Sequence, residues 1–162
     1  MDIQWIVKLI ADGLVIPVAL IGAYALIRYV PSARKYHVYT QVIMAGLTAY
    51  AVAKIVGAIY QPEELRPFEA MGVAAGASFL NNPGFPSDHA LFTTAITLAV
   101  WLGAGSKRLA VVCAVLTLLV CVGRVIALVH TPLDVVGGIL MACSGVMWYS
   151  SVQQYCERKC LR

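Results

Sequence analysis

The sequence predicts an all-α, polytopic integral membrane helix bundle with about five transmembrane helices, and three features carry that expectation. Of 162 residues, 60% are hydrophobic and 12% charged, with a mean hydropathy of +0.80. That leaves too little polar surface to cover a water-soluble globule of this size. Apolar runs of roughly 17 to 25 residues recur, the length a helix needs to cross a hydrocarbon core of ~30 Å. The basic residues sort to one side of those runs, the signature of a multi-pass chain.

The first run, Trp5 to Ile27, follows a start, "MDIQ", that lacks a basic n-region, and no small-residue cleavage site follows it. It is expected to stay in place as a membrane anchor rather than leave as a signal peptide. Pro31-Ser32 separates it from the second run, Val38 to Tyr60. A long Pro/Gly/Asn-containing segment, Gln61 to Phe85, leads to the third, His89 to Leu102, which needs its flanks from Pro86 to Gly103 to span. Gly103 to Ser106 precedes the fourth, Leu109 to Val129, and His130-Thr131-Pro132 precedes the fifth, Leu133 to Ser150. With no soluble domain, repeat or low-complexity tract, residues 1–162 read as one membrane-embedded domain.

Five cysteines do not make a disulfide framework: Cys113, Cys121 and Cys143 fall inside spans, and the set is odd and scattered. Cys156 and Cys160 invite palmitoylation, but read more simply as unmodified.

Sidedness follows from the cations. Arg28, Arg34, Lys35, Lys107, Arg108, Arg158, Lys159 and Arg162 share one side, eight of the twelve Lys and Arg. The positive-inside rule makes that side cytoplasmic, with the C-terminus on it and the N-terminus, the Gln61 to Phe85 segment and the His130 loop outside.

Polar residues at membrane depth are costly and usually functional. Lys54 lies near the outer end of the second span, about 9 Å below Tyr60 at the helical rise. Arg66 follows in the outer segment, His89 begins the third span, Arg124 ends the fourth, and His130 and Asp134 bracket the start of the fifth. All six converge on one face of the membrane.

Three cations around a small volume imply a polyanion, and two arginines offer planar forks that match phosphate oxygens. In "GFPSDHA" Pro86 suits the first position of a helix, which would leave the N–H groups of Ser87 and Asp88 free beside the Ser87 hydroxyl. In "HTPLD" the His and Asp stand four apart, so the carboxylate can hold one ring nitrogen and leave the other as a nucleophile. His89, from another helix, can protonate a leaving oxygen. Nucleophile, orienting acid, general acid and cationic clamp together describe phosphoryl transfer through a phosphohistidine.

At these residues the chain resembles the type 2 phosphatidic acid phosphatase superfamily, the lipid phosphatases related to vanadium haloperoxidases. "GFPSDHA" is similar to that family's second signature. Arg124, five residues, His130, three residues and Asp134 keep the spacing of its third. The first signature, Lys, six residues, Arg-Pro, is looser: Arg66-Pro67 is present, but Lys54 stands twelve positions before Arg66. The resemblance covers residues 54–134. It implies that His130 is the nucleophile, Asp134 its partner and His89 the acid and then the base. Lys54, Arg66, Ser87 and Arg124, with a backbone N–H at Asp88, would bind phosphate without metal or other cofactor. Gly123 stands where the family usually has Ser and supplies no such ligand.

"RPF" followed by "FPSDHA" most resembles the bacterial undecaprenyl-diphosphate phosphatases associated with bacitracin resistance. That implies a bacterial cytoplasmic membrane, a site facing outside, and a polyprenyl diphosphate cut to the monophosphate during recycling of the cell-wall lipid carrier. Phosphatidylglycerol phosphate and phosphatidic acid are the alternatives. Asp88 is then a subgroup mark, its carboxylate turned from the anion or paired with a cation. The partners expected are the bilayer and a phosphorylated lipid, with no nucleic acid.

Other readings stay beside these. Lys54 can instead snorkel to the interface. His37 has no catalytic company, Asp12 reads as an interior hydrogen-bond partner rather than a site residue, and Glu63, Glu64 and Glu69 read as solvated, with Glu69 close enough to orient Arg66. Phe68, Met71, Phe79 and Leu80 suit a partly inserted lid. Ala45, Ala49, Ala53 and Gly57, with Gly138, Ala142 and Gly145, make small faces for helix packing or, alternatively, a homodimer. A metal-binding membrane protein and a non-catalytic packing or transport subunit are the competing classes; the arginines make the pocket hostile to a cation.

Overall fold

A computed structural model describes residues 3–62, 65–80 and 84–149, which are helical with no strand among them. Glu63, Glu64, the Cys156/Cys160 pair and the C-terminal basic cluster lie outside the described residues.

The first run is one helix in three parts: α1 (Ile3–Lys8), a π-helical turn (Leu9–Gly13) and α2 (Val15–Tyr29). Pro17 accounts for the change of register. Lacking an N–H, it cannot bond the carbonyl of Gly13 four residues back, and just ahead of it the Leu14 N–H reaches the Leu9 carbonyl at 3.2 Å. Asp12 lies in this widened turn, a geometry that concentrates at functional sites.

α3 (Lys35–Ile59) returns across the bundle, and the outer connection that follows holds α4 (Pro67–Ala70). α5 (Asp88–Leu98) continues as a second π-helical segment (Ala99–Gly103). Gly105, at φ 71°, makes the turn into α6 (Lys107–Ile126), and α7 (Pro132–Cys143) starts after the loop at 127–131.

Four helices, Gln4–Tyr29, Ser32–Ile59, Lys107–Ile126 and Pro132–Tyr149, are long and apolar enough to cross a membrane. The expected fifth is shorter. Its eleven α-helical and five π-helical residues reach about 24 Å at the helical rise, less than a ~30 Å core. It is also the central helix, packed by α2, α3, α6 and α7.

The surface is the reverse of a soluble protein's. Leu20, Ile43, Leu47, Leu118 and Leu140 point outward, about 60% exposed or more, while Gln41, Thr93, Thr117 and Arg124 are buried. Side chains tie the helices across: Gln41 Nε2 donates to the Trp148 carbonyl at 2.9 Å, and Trp148 Nε1 to Thr48 Oγ1 at 2.8 Å. The small faces meet within the chain. A methyl group on Gly145 would stand 2.6 Å from the Ala45 carbonyl oxygen, and one on Gly138 2.5 Å from that of Ser87. Such approach is what Gly and Ala permit between helices in a membrane.

The outer connection is folded down onto the bundle. Phe68 donates its N–H to the Leu128 carbonyl and Gly76 its N–H to the Ala127 carbonyl, both at 3.0 Å. Phe68 is buried beside Ala11, Ala127 and Val129, a core residue rather than part of a lid. Phe79, Leu80 and Met71 remain exposed.

Candidate active site

His130 is fixed by the start of α7. Thr131 caps the helix, accepting the Asp134 N–H at 3.2 Å, while the Thr131 N–H donates to Asp134 Oδ2 at 2.8 Å. This reciprocal box turns the carboxylate back toward the loop, where Oδ2 stands 3.5 Å from His130 Nδ1, at the limit of hydrogen bonding. The ring is 5% exposed. Its Nε2 is the nitrogen turned away from Asp134, and the side chain lines a cavity of about 160 Å³.

Leu128, two residues earlier, has φ 58°. A non-glycine residue in the left-handed region costs of order 1–3 kcal/mol and persists only where its surroundings enforce it. Here the Phe68 N–H holds its carbonyl, so the outer segment shapes the loop that carries His130.

The same cavity is lined by His89, Arg66, Arg124 and Asp88. Arg66 is buried; it donates Nη1 to the Val129 carbonyl at 2.7 Å and Nη2 to the Leu80 carbonyl at 3.1 Å, and lies over the Phe79 ring. Burial draws its pKa below the ordinary arginine value, against the pull of Glu69, Asp134 and Asp88; the guanidinium stays charged in any protein. Glu69 Oε2 accepts the Arg66 backbone N–H at 2.8 Å, so it steadies the turn that carries Arg66. Arg124, 1% exposed, commits Nη1 to Asp12 Oδ1 and to the Ser78 carbonyl, both at 2.7 Å, and leaves Nε buried without a partner among the described residues.

Burial pushes the His130 pKa down; Asp134 opposes this, and Arg124 and Arg66 add to it. The neutral imidazole is therefore the favoured form.

The turn before α5 differs from the expectation in two details. Pro86 is not the first helical residue: Ser87 is the N-cap and Asp88 begins the helix. The Ser87 N–H is also not free, since it donates to the Asp134 carbonyl at 2.9 Å and thereby joins α5 to α7. The donors without a carbonyl one turn back are those of Asp88, His89 and Ala90. The Ser87 hydroxyl is fully buried and has no hydrogen-bond partner among the described residues.

Lys54 shares this end of the bundle but does not line the cavity. Its Nζ is 3.1 Å from Asp88 Oδ1 and 5.1 Å from the centre of the Tyr50 ring. Asp12 is both an interior hydrogen-bond partner and a neighbour of the site. It is an interior partner, as expected, but its partners are site residues: Arg124, and His89 Nε2 at 3.7 Å. Asp12 sits in a widened turn whose register is invisible in the residue pattern, so the sequence carries no signal for its partners.

A membrane-type helical bundle whose buried arginines and two histidines share one small cavity is an arrangement suited to phosphoryl transfer. Residues 42–158 match the PAP2 superfamily, and the chain belongs to that superfamily of phosphatases. No curated protein and no solved structure matches it.

Proposed function

We propose that the protein is a membrane lipid phosphatase that hydrolyses a polyprenyl diphosphate, such as undecaprenyl diphosphate, to the monophosphate and inorganic phosphate, with its site at the outer face of a bacterial cytoplasmic membrane. The observation that carries the phosphatase reading is the meeting of His130, His89, Arg66 and Arg124 in one cavity of about 160 Å³.

His130 Nε2 attacks the terminal phosphorus, and the bond to the bridging oxygen breaks. His89, entering protonated, gives its proton to that oxygen, so the lipid monophosphate leaves. Neutral His89 then takes a proton from water, whose oxygen attacks phosphorus and breaks the N–P bond. Phosphate departs and His89 is protonated again, so one water is consumed per turnover. The guanidiniums of Arg66 and Arg124, the Ser87 hydroxyl and the first N–H groups of α5 surround the phosphoryl oxygens, where charge builds in the transition state. Asp134 stabilises the orientation of His130. No step of this mechanism needs a metal.

A second cavity supports a long-chain substrate. A cleft of about 370 Å³ opens between α2 and α3 over α5, lined by Gly22, Ala23, Val42, Gly46, Phe92 and Ala99 among others. At the helical rise its α2 and α3 walls lie roughly 10–20 Å deeper than Asp12 and Lys54. A polyprenyl chain descending from the phosphate site reaches that depth. Phosphatidylglycerol phosphate and phosphatidic acid are the alternative substrates.

The test is phosphate release by purified protein from undecaprenyl diphosphate, phosphatidylglycerol phosphate and phosphatidic acid, each against His130→Ala. Turnover of the diphosphate that the variant abolishes is expected. A folded wild type that releases phosphate from none of them sinks the reading.

A further inference from the structure

We propose that Asp12 is a positioning residue of this phosphatase, holding Arg124 in place and keeping the His89 proton available, and that Gly123 is what lets it reach them. The inference rests on the phosphatase reading above. Asp12 lies outside the 42–158 match and outside all three signature segments.

Asp12 has three contacts, all at the cavity. Oδ1 accepts from Arg124 Nη1 at 2.7 Å, Oδ2 accepts the Ser78 N–H at 2.9 Å, and Oδ1 stands 3.7 Å from His89 Nε2. The Arg124 head cannot rotate about Nη1 while Asp12 and the Ser78 carbonyl both hold it. Its remaining N–H groups, Nε among them, are then presented as a fixed fork. The widened turn Leu9–Gly13 places the carboxylate there.

Gly123 explains how the turn comes so close. A methyl group at that position would stand 2.9 Å from Ile10 Cγ2, 3.0 Å from the Ala11 nitrogen and 3.1 Å from Ala11 Cα. Two of the three are backbone atoms and cannot turn aside. The Ser usual in the resembled family would push the Asp12 turn off α6, so Gly123 exchanges a hydroxyl at the phosphate for a carboxylate behind it.

The charge around His89 comes from several elements. Asp12 faces it from the π-helical turn, Arg124 from α6, His130 from the 127–131 loop and Asp88 from α5 itself. Arg66, from the outer segment, lines the same cavity. Burial and Arg124 disfavour the protonated ring, and Asp12, the anion within 4 Å of Nε2 among the described residues, opposes them.

The experiment compares Asp12→Asn, Asp12→Glu and Gly123→Ala with the wild type in detergent, reading phosphate release across pH together with thermal unfolding. Asp12→Asn is expected to lower kcat about 10- to 100-fold with KM changed less than threefold, and to move the alkaline limb of kcat/KM down by roughly 1–3 pH units. Gly123→Ala should show the same signature by displacement of the turn. Asp12→Glu should recover the alkaline limb more fully than kcat, and it carries the test if the Asn variant does not fold. A folded Asp12→Asn protein with unaltered kcat, or with lowered kcat but an unmoved alkaline limb, overturns the proposal. An active wild type beside such a variant leaves the phosphatase reading intact, whereas an inactive wild type overturns both.

Discussion

Asp134 Oδ2 stands 3.5 Å from His130 Nδ1 while accepting the Thr131 N–H at 2.8 Å, so the carboxylate that caps the helix also faces the ring. The two duties separate on substitution. Asp134→Asn keeps an oxygen for the Thr131 N–H but loses the charge that stabilises the imidazole as it bonds to phosphorus. We expect kcat to fall by about 10²- to 10⁴-fold, with the unfolding midpoint little changed. Phosphate-release kinetics and a thermal melt on the same preparation check it.

The pH dependence of the nucleophile follows from burial. In the proposed mechanism His130 attacks only when neutral, and its pKa is lowered, chiefly by desolvation. Its neutral form therefore persists below the ordinary histidine value of about 6.5. The acid limb of kcat/KM should lie below that value in the wild type, and lower still in Asp134→Asn, which removes the group that opposes the shift. An acid limb above 6.5 would contradict the placement of His130.

How much of this was legible beforehand depends on what each residue answers to. Spans follow from local apolarity, so four of them could be read directly, and the shortness of the His89 helix shows in its residues. The spacing of Arg124, His130 and Asp134 is a local property of a helix end and a cap, and it survives folding unchanged. The partners of Arg124 are not local: Asp12 is 112 residues away in sequence and reaches it through a register shift that Pro17 provokes. The free donors at the start of α5 lie one residue further along than the residue pattern implies, for a similar reason. The Ser87 N–H goes to a carbonyl on α7, and only tertiary pairing could reveal that.

Lys54 and Asp88 form the partly solvated pair of the site, with side chains 45% and 36% exposed. Pairs this exposed contribute at most about 1 kcal/mol, so neither residue should control stability. Lys54→Ala is expected to raise KM severalfold with kcat nearly preserved, because the lysine stands outside the cavity lining. A loss of 100-fold or more in kcat would instead make it a direct phosphate ligand. Asp88→Gly should lower kcat by less than tenfold, since its N–H survives the change. Steady-state kinetics on both variants separate the two roles.

The cleft between α2 and α3 offers a position where substitution fills space without moving the bundle. A methyl group added at Gly46 meets nothing within 4 Å, whereas one at Gly22 would strike Ile96 at 2.5 Å. Gly46→Leu therefore places its side chain in the cleft or along its rim, at a cost in helix propensity that is if anything negative, since Gly is the poorer helix former by about 1 kcal/mol. If the polyprenyl chain descends here, the variant loses kcat/KM on undecaprenyl diphosphate by more than tenfold relative to its activity on a short, soluble prenyl diphosphate. The ratio of the two is the quantity to measure, because a general defect lowers both together and a filled cleft lowers only the long-chain reaction. An unchanged ratio would mean that the chain leaves the phosphate site along another face of the bundle, and the cleft would lose its place in substrate recognition.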